Sequence, residues 1–173
     1  MIYFIRHGET DYNKQRRLQG HLDIPLNATG ISQAEKARDE LAKIQFDVIY
    51  SSPLSRARKT AEIINEKQNA MLVFDDRIKE IHGGKLEGEC LNDWTEEMHR
   101  RFHEMPEIYF AESTEHLCER VEEFFKEIEN EDKNILIVSH GGVYRAIYRY
   151  INKISDFDYE LKSLKNAEFC RFK

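Results

Sequence analysis

No stretch of this chain approaches the roughly 20 consecutive apolar residues that a bilayer-spanning helix needs, so nothing in it reads as a membrane span. The first residues enter an apolar run with no basic region or small-residue cleavage site before it, and the chain reads as cytoplasmic. Cysteine is scarce: Cys90, Cys118 and Cys170 are odd in number and far apart, and none stands in a C-x-x-C or Cys/His ligand spacing. A disulfide framework is therefore not expected, and the three read as reduced thiols, with Cys118 and Cys170 as packing residues. Repeats, low-complexity tracts and clustered Asp/His ligand sets are also missing. A basic excess is lacking too, since the formal net charge is −6. That argues against a nucleic-acid partner, which usually meets a basic face.

What is present is unevenly distributed. Residues 1–60 carry ten Lys/Arg against seven Asp/Glu, whereas residues 87–131 carry four against fifteen. A small cationic spot within an acidic body suits a small anionic ligand better than a polyanion. The length of 173 residues, 40% hydrophobic and 34% charged, predicts a single globular domain spanning 1–173.

The most informative pattern lies near the two ends. Met1–Ile5 runs into Arg6-His7-Gly8-Glu9-Thr10, and Ile135–Val138 runs into Ser139-His140-Gly141-Gly142. Short apolar runs with β-branched and aromatic content predict buried strands. Each thus delivers a histidine and then a glycine at its C-terminal end, the edge at which open α/β sheets bind ligands.

Between them the pattern alternates. Apolar residues Ile31, Ala34, Ala37, Leu41 and Ile44 predict a helix over 28–44, and Phe46–Tyr50 a second strand. Ser52-Pro53 reads as an N-cap and first helical residue, opening a helix that buries Leu54, Ala57, Ala61 and Ile64. Met71–Phe74 predicts a third strand. Helices are expected over 92–104, Ser113–Glu129 and Gly141–Asn152, a fourth strand over Asn134–Ser139, and an antiparallel edge strand over Ala167–Phe172. The expected fold is a three-layer α/β/α sandwich with a mostly parallel sheet. Residues 87–112, which hold the only tryptophan, Trp94, fit the alternation least and read as a small helical insertion over the site.

Taken singly, the polar residues are ambiguous. His7 could be a strand-end histidine satisfied by backbone, Arg56 a surface cation and Glu80 a surface glutamate. Their joint placement after four strands is more specific. Gly8 permits a close approach or a sharp turn, and Gly141-Gly142 opens a helix whose N–H groups favour an anion. Two arginines, two histidines and a carboxylate match the needs of phosphoryl transfer through a phosphohistidine. A neutral imidazole attacks, guanidinium forks hold the phosphoryl oxygens, and a carboxyl group moves the proton. Arginine countercharge would leave no metal requirement.

On these residues the chain resembles the histidine phosphatase superfamily, the phosphoglycerate-mutase-like group, over nearly its whole length. Arg6 to Asn13 resembles the opening signature RHGETxxN. Leu18 to Leu26 with Gly30 and Gln33-Ala34 resembles the second block, and Ser52 to Ala57 with Thr60-Ala61 the third. Glu80, Gly84, Leu86-Glu87-Gly88, Arg120-Val121 and Val138 to Gly142 complete the order. The pattern is most similar to the small broad-specificity and alpha-ribazole phosphatase-type members. The resemblance implies that His7 is the phosphorylated nucleophile and Glu80 the proton donor. It implies that Arg6, Arg56 and His140 clamp the phosphoryl group, that Asn13, Gln19 and the Gly20 and Gly141 backbones line the pocket, and that neither a metal nor any other cofactor is needed.

Mutase and phosphatase are the main choices in that group. Cofactor-dependent mutases are longer, and they usually carry Ser/Thr-Gly in place of Gln19-Gly20 and His-Gly-Asn in place of His140-Gly141-Gly142. All three features favour a phosphatase of small phosphorylated metabolites. Arg100-Arg101 points the other way if it holds a second phosphate, but amid Glu96, Glu97 and Glu104 it reads as a solvated helix face. Trp94, Met98, Phe102, Met105, Tyr109 and Phe110 could line a leaving-group pocket or form the insertion's own core. Phe110-Ala111-Glu112-Ser113 departs from the Gly-Glu-Ser common in relatives.

Overall fold

The computed structural model describes residues 1–155 and 163–173. Its elements are β1 (Ile2–Arg6), α1 (Asp11–Lys14), α2 (Ala28–Leu41), β2 (Val48–Ser51), α3 (Ser55–Asn65) and β3 (Met71–Phe74). They continue with α4 (Glu96–Glu104), α5 (Thr114–Ile128), β4 (Ile135–Ser139), α6 (Gly141–Asn152) and β5 (Phe169–Arg171). The sheet order is β3-β2-β4-β1-β5. Every pairing is parallel except β1 with β5, as expected from the sequence.

The two central strands are apolar on both faces because both faces are covered. Ile2 and Phe4 of β1, with Ile135 and Ile137 of β4, pack beneath α5 and α6. Ile5, Leu136 and Val138 point the other way, into a core shared with α2 and α3. Val121, Phe124, Phe125 and Ile128 anchor α5, whose first turn is capped when Ser113 accepts the His116 N–H. Among the described residues no helix is long and apolar enough to cross a membrane.

Several boundaries differ from the sequence expectation. Ser52 is not an N-cap and Pro53 does not begin the helix. Ser52 still donates its N–H to Val138 O, extending the β2–β4 ladder by one residue. The helix starts at Ser55 with Leu54 at the cap, and the Asp23 carboxylate accepts the Ser55 N–H at 2.6 Å. That carboxylate does the work of a cap from a distant loop. Helix α2 ends at Leu41 rather than 44, and Ile31, expected inward, is 39% exposed. The segment 92–104 is split into a 3-10 turn at Leu91–Asp93 and α4. Cys118 is buried in the core, Cys170 is half-buried against it, and all three cysteines are free thiols.

Candidate active site

β1 and β4 are neighbours in register, Arg6 beside Ser139, so their C-terminal ends release the two His-Gly pairs side by side. His7 continues the ladder by donating its N–H to Ser139 O at 2.9 Å. The rings of His7 and His140 stand 5.1 Å apart, inclined by 60°. His7 Nδ1 lies 2.7 Å from Gly8 O. A carbonyl can only accept, so Nδ1 carries the proton and the Nε2 lone pair is left for chemistry. On the other ring, His140 Nε2 meets Ser52 Oγ at 2.8 Å. Gly8 N–H donates to Thr60 on α3. A Cβ on Gly8 would strike the backbone of Gly30, and a Cβ on Gly30 would strike the backbone of Glu9, which explains glycine at both positions.

Arg56 is fully buried despite its charge. Its Nη1 donates to Leu22 O and its Nη2 to Gly20 O, each at 2.8 Å. Arg6 Nη1 donates to Leu164 O at 2.9 Å. Burial pushes the Arg56 guanidinium down to about 10, which leaves it charged near neutrality. Polar atoms buried here without a hydrogen-bond partner include Nε of Arg6, Nε of Arg56, Nδ1 of His140 and, on the cavity wall, Nε1 of Trp94. Orphaned buried polar atoms are costly and rare, and they mark places where a ligand supplies the missing bonds.

Glu80 sits across from the histidines at the start of α6, where the Gly142 N–H meets its Oε1 at 3.1 Å. A carboxylate there is favoured by the unpaired N–H groups of the first turn. A Cβ on Gly142 would collide with that carboxylate. The Asn13 and Gln19 carbonyl oxygens both lie within reach of Thr10 Oγ, at 3.1 and 2.8 Å. Their amide NH2 ends are the groups that could donate to a ligand.

These groups open onto a cavity of about 360 Å³. Of the residues expected from the sequence, Arg6, His7, Asn13, Gln19, Gly20, Arg56 and Glu80 line it, and Glu80 is the only carboxylate among the described lining residues. His140 and Gly141 are buried and do not line the cavity, whereas the neighbouring Gly142 does. From 87–112 the wall includes Trp94 and Phe102, which are also the buried members of that segment's own apolar cluster. Met98 and Tyr109 pack in that cluster without lining the cavity, and Met105 and Phe110 do neither. Arg100 and Arg101 are exposed, engaged with Glu97 and, for Arg100, Glu104, and do not line the cavity. Sequence reasoning missed Arg17, His99, His103 and Arg145. Arg145 had a signal, since it follows Gly141 by four residues on one helix face. Asn166, which donates to His7 O and Asn13 Oδ1, had none. Among the described residues no group of three or more His, Cys, Asp or Glu could hold a metal ion.

Burial holds the His7 imidazole well below its ordinary range, with Arg56 and Arg6 adding to the effect. Burial and then Arg56 do the same to His140. In the unfolded chain both rings would titrate near pH 6.5. Below that value the unfolded state takes up protons that the folded state refuses, so stability falls as pH falls. Each ring contributes a slope of up to about 1.4 kcal/mol per pH unit. Thermal melts between about pH 7.5 and about pH 5 should show this decline, and His7→Asn should flatten it. Parallel slopes for the two proteins would show that His7 is not held neutral.

The fold and the crevice define an open α/β protein that gathers two arginines, two histidines and one carboxylate at the C-terminal edge of a parallel sheet. The chain belongs to the histidine phosphatase superfamily (branch 1), whose family model matches residues 2–173. It is 38% identical over 173 residues to the uncharacterized phosphatase PhoE of Bacillus subtilis, covering 98% of this chain and 84% of that protein. The solved mycobacterial glucosyl-3-phosphoglycerate phosphatase in complex with VO3 superposes with a TM-score of 0.84 at 27% identity, over 97% of this chain and 90% of that one. A phosphoserine phosphatase mutant from Entamoeba histolytica in complex with phosphoserine does so with a TM-score of 0.82 at 28% identity, over 97% and 87%. Proteins named phosphoglycerate mutase-like or probable phosphoglycerate mutase match as well. The phosphatase relatives support a phosphatase activity in general.

Proposed function

We propose that this chain is a metal-independent phosphatase that hydrolyses small phosphomonoesters through a phosphohistidine on His7. The observation that carries this reading is the Nδ1–H bond to Gly8 O, which leaves Nε2 as a buried lone pair beside two arginines. Nε2 attacks phosphorus in line while the P–O bond to the leaving group breaks. The Glu80 carboxyl protonates the departing oxygen. Water then attacks the phosphohistidine, gives its proton to Glu80 and releases inorganic phosphate, restoring His7.

Arg6, Arg56 and His140 are assigned to the phosphoryl oxygens because each carries an orphaned buried nitrogen. Each charge-assisted bond of this kind is worth about 1.5–3 kcal/mol, and more as charge gathers in the transition state. Asn13, Gln19, Gly20 and Gly141 complete the phosphate side. Residues 87–112 act as a cover whose Trp94 and Phe102 face the leaving group, on what we take to be one domain. A mutase-type phosphoryl transferase is the second reading, favoured by Arg17 and Arg145, which line the cavity with Arg6 and Arg56 and could hold a second phosphate.

One assay separates the two. The purified protein, treated with a chelator, is given a panel of aryl and alkyl phosphates with and without a bisphosphorylated primer. Steady release of inorganic phosphate, independent of chelator and primer, is expected. Dependence on the primer with little net phosphate would establish the transferase instead, and loss of activity in chelator would rule out the metal-free mechanism.

A further inference from the structure

Residues 79–83, which carry Glu80, lie outside any helix or strand, so no ladder sets the position of that carboxylate. The four consecutive carbonyls from Arg77 to Glu80, which lead into this segment, accept side-chain donors instead. Arg120 Nη1 donates to Arg77 O and Lys79 O, at 2.6 and 2.8 Å, and Nη2 to Glu80 O at 3.0 Å. Ser139 Oγ donates to Ile78 O at 2.6 Å. His21 Nε2 adds a second donor to Glu80 O at 2.8 Å.

Arg120 is held in turn by Glu112. Its Nε meets Oε1 at 2.7 Å and its Nη2 meets Oε2 at 2.8 Å, a two-pronged contact between side chains only 13% and 8% exposed. Glu112 also grips the other flank of the loop. Its Oε2 accepts the His82 N–H at 3.1 Å, and its own N–H donates to His82 O at 2.8 Å. The remaining Oε1 contact is His116 Nδ1, at 2.6 Å on the exposed side. Neither Glu112 nor Arg120 lines the cavity. The pair thus bonds the backbone at Arg77, Lys79 and Glu80 and again at His82.

We infer that Glu112 and Arg120 form a positioning pair whose function is to aim Glu80 at the leaving-group oxygen. The inference rests on the phosphatase reading, and it adds two residues to which that reading gives no part. A planar guanidinium serving three carbonyls and a carboxylate at once cannot be replaced by the point charge of lysine. Small displacements matter here, since misplacing a proton donor by about 1 Å can cost about a hundredfold in rate.

The test compares an alkyl phosphate, whose leaving oxygen needs a proton, with an aryl phosphate carrying an acidic phenol, which leaves without one. Glu112→Gln keeps the size of the side chain and an oxygen for the His82 N–H, and Arg120→Lys keeps the charge. Both should lower kcat/KM on the alkyl phosphate about ten- to a hundredfold and leave kcat/KM on the aryl phosphate nearly unchanged, since that ratio reports transfer to His7 and not the later step in which Glu80 acts as base. In a Glu80→Gln background neither change should cost anything further, because the pair acts only through that carboxylate. Equal losses on both substrates, or a further loss in the Glu80→Gln background, would mark the pair as merely structural. Glu112→Gln must also fold, with a wild-type circular dichroism spectrum, and its failure to do so would overturn the proposal. Inactivity of the wild type on every phosphomonoester would instead bring down the phosphatase reading itself.

Discussion

His7→Ala should lower turnover of any phosphomonoester by at least about 10⁴-fold, the scale on which removing a covalent nucleophile acts. The expectation follows from what surrounds the ring. Its Nε2 lone pair exists because Nδ1–H is committed to Gly8 O. Its neutrality exists because burial, Arg56 and Arg6 oppose protonation. His140 cannot take over, because its Nε2 is held against Ser52 Oγ. Phosphate binding should survive the substitution, since Arg6 and Arg56 are held by the carbonyls of Leu164, Leu22 and Gly20 rather than by His7. Steady-state kinetics together with phosphate titration would check both halves. A variant that retained a tenth of its turnover would leave His7 no covalent role.

Glu80→Gln should be nearly as damaging, but selectively. General acid–base catalysis contributes about 10²–10⁴-fold, and the full amount is expected on alkyl phosphates. Aryl phosphates with acidic phenols should lose far less in the first step. Glutamine still accepts the Gly142 N–H, so the start of α6 is not disturbed. A uniform loss in kcat/KM across leaving groups would assign the proton to another group.

Much of this arrangement was legible in the chain because the relevant physics is local. β1 and β4 are covered on both faces and so read as unbroken apolar runs, and the His-Gly pairs follow directly from them. Helix α5 shows its buried face through Leu117, Val121, Phe124 and Ile128. What failed depended on distant partners. The Ser52-Pro53 signal for a helix start was overridden by a ladder bond to Val138 and by Asp23 reaching Ser55. Arg56 could be either surface or site until its guanidinium was found on carbonyls 34 and 36 residues away. The engagement of Arg100 and Arg101 with neighbouring glutamates is legible in the chain, because i,i+3 and i,i+4 neighbours are visible in sequence. Spacing alone does not separate wall from core among the aromatic residues of 87–112, and Trp94 and Phe102 are both. Arg17, His99 and His103 reach the cavity through loop and cover geometry that no periodicity announces.

The central claim is covalent attachment of the phosphoryl group to one imidazole, and rapid quenching during turnover tests it most directly. Wild-type protein mixed with excess substrate, stopped in alkali and digested, should yield one phosphorylated peptide. It should contain Arg6-His7-Gly8, and its modification should survive base and be lost in acid. The same peptide from His7→Ala should carry none. A phosphoryl group on any other side chain, or active wild-type protein with no trapped group under conditions that preserve phosphohistidine, would contradict the account.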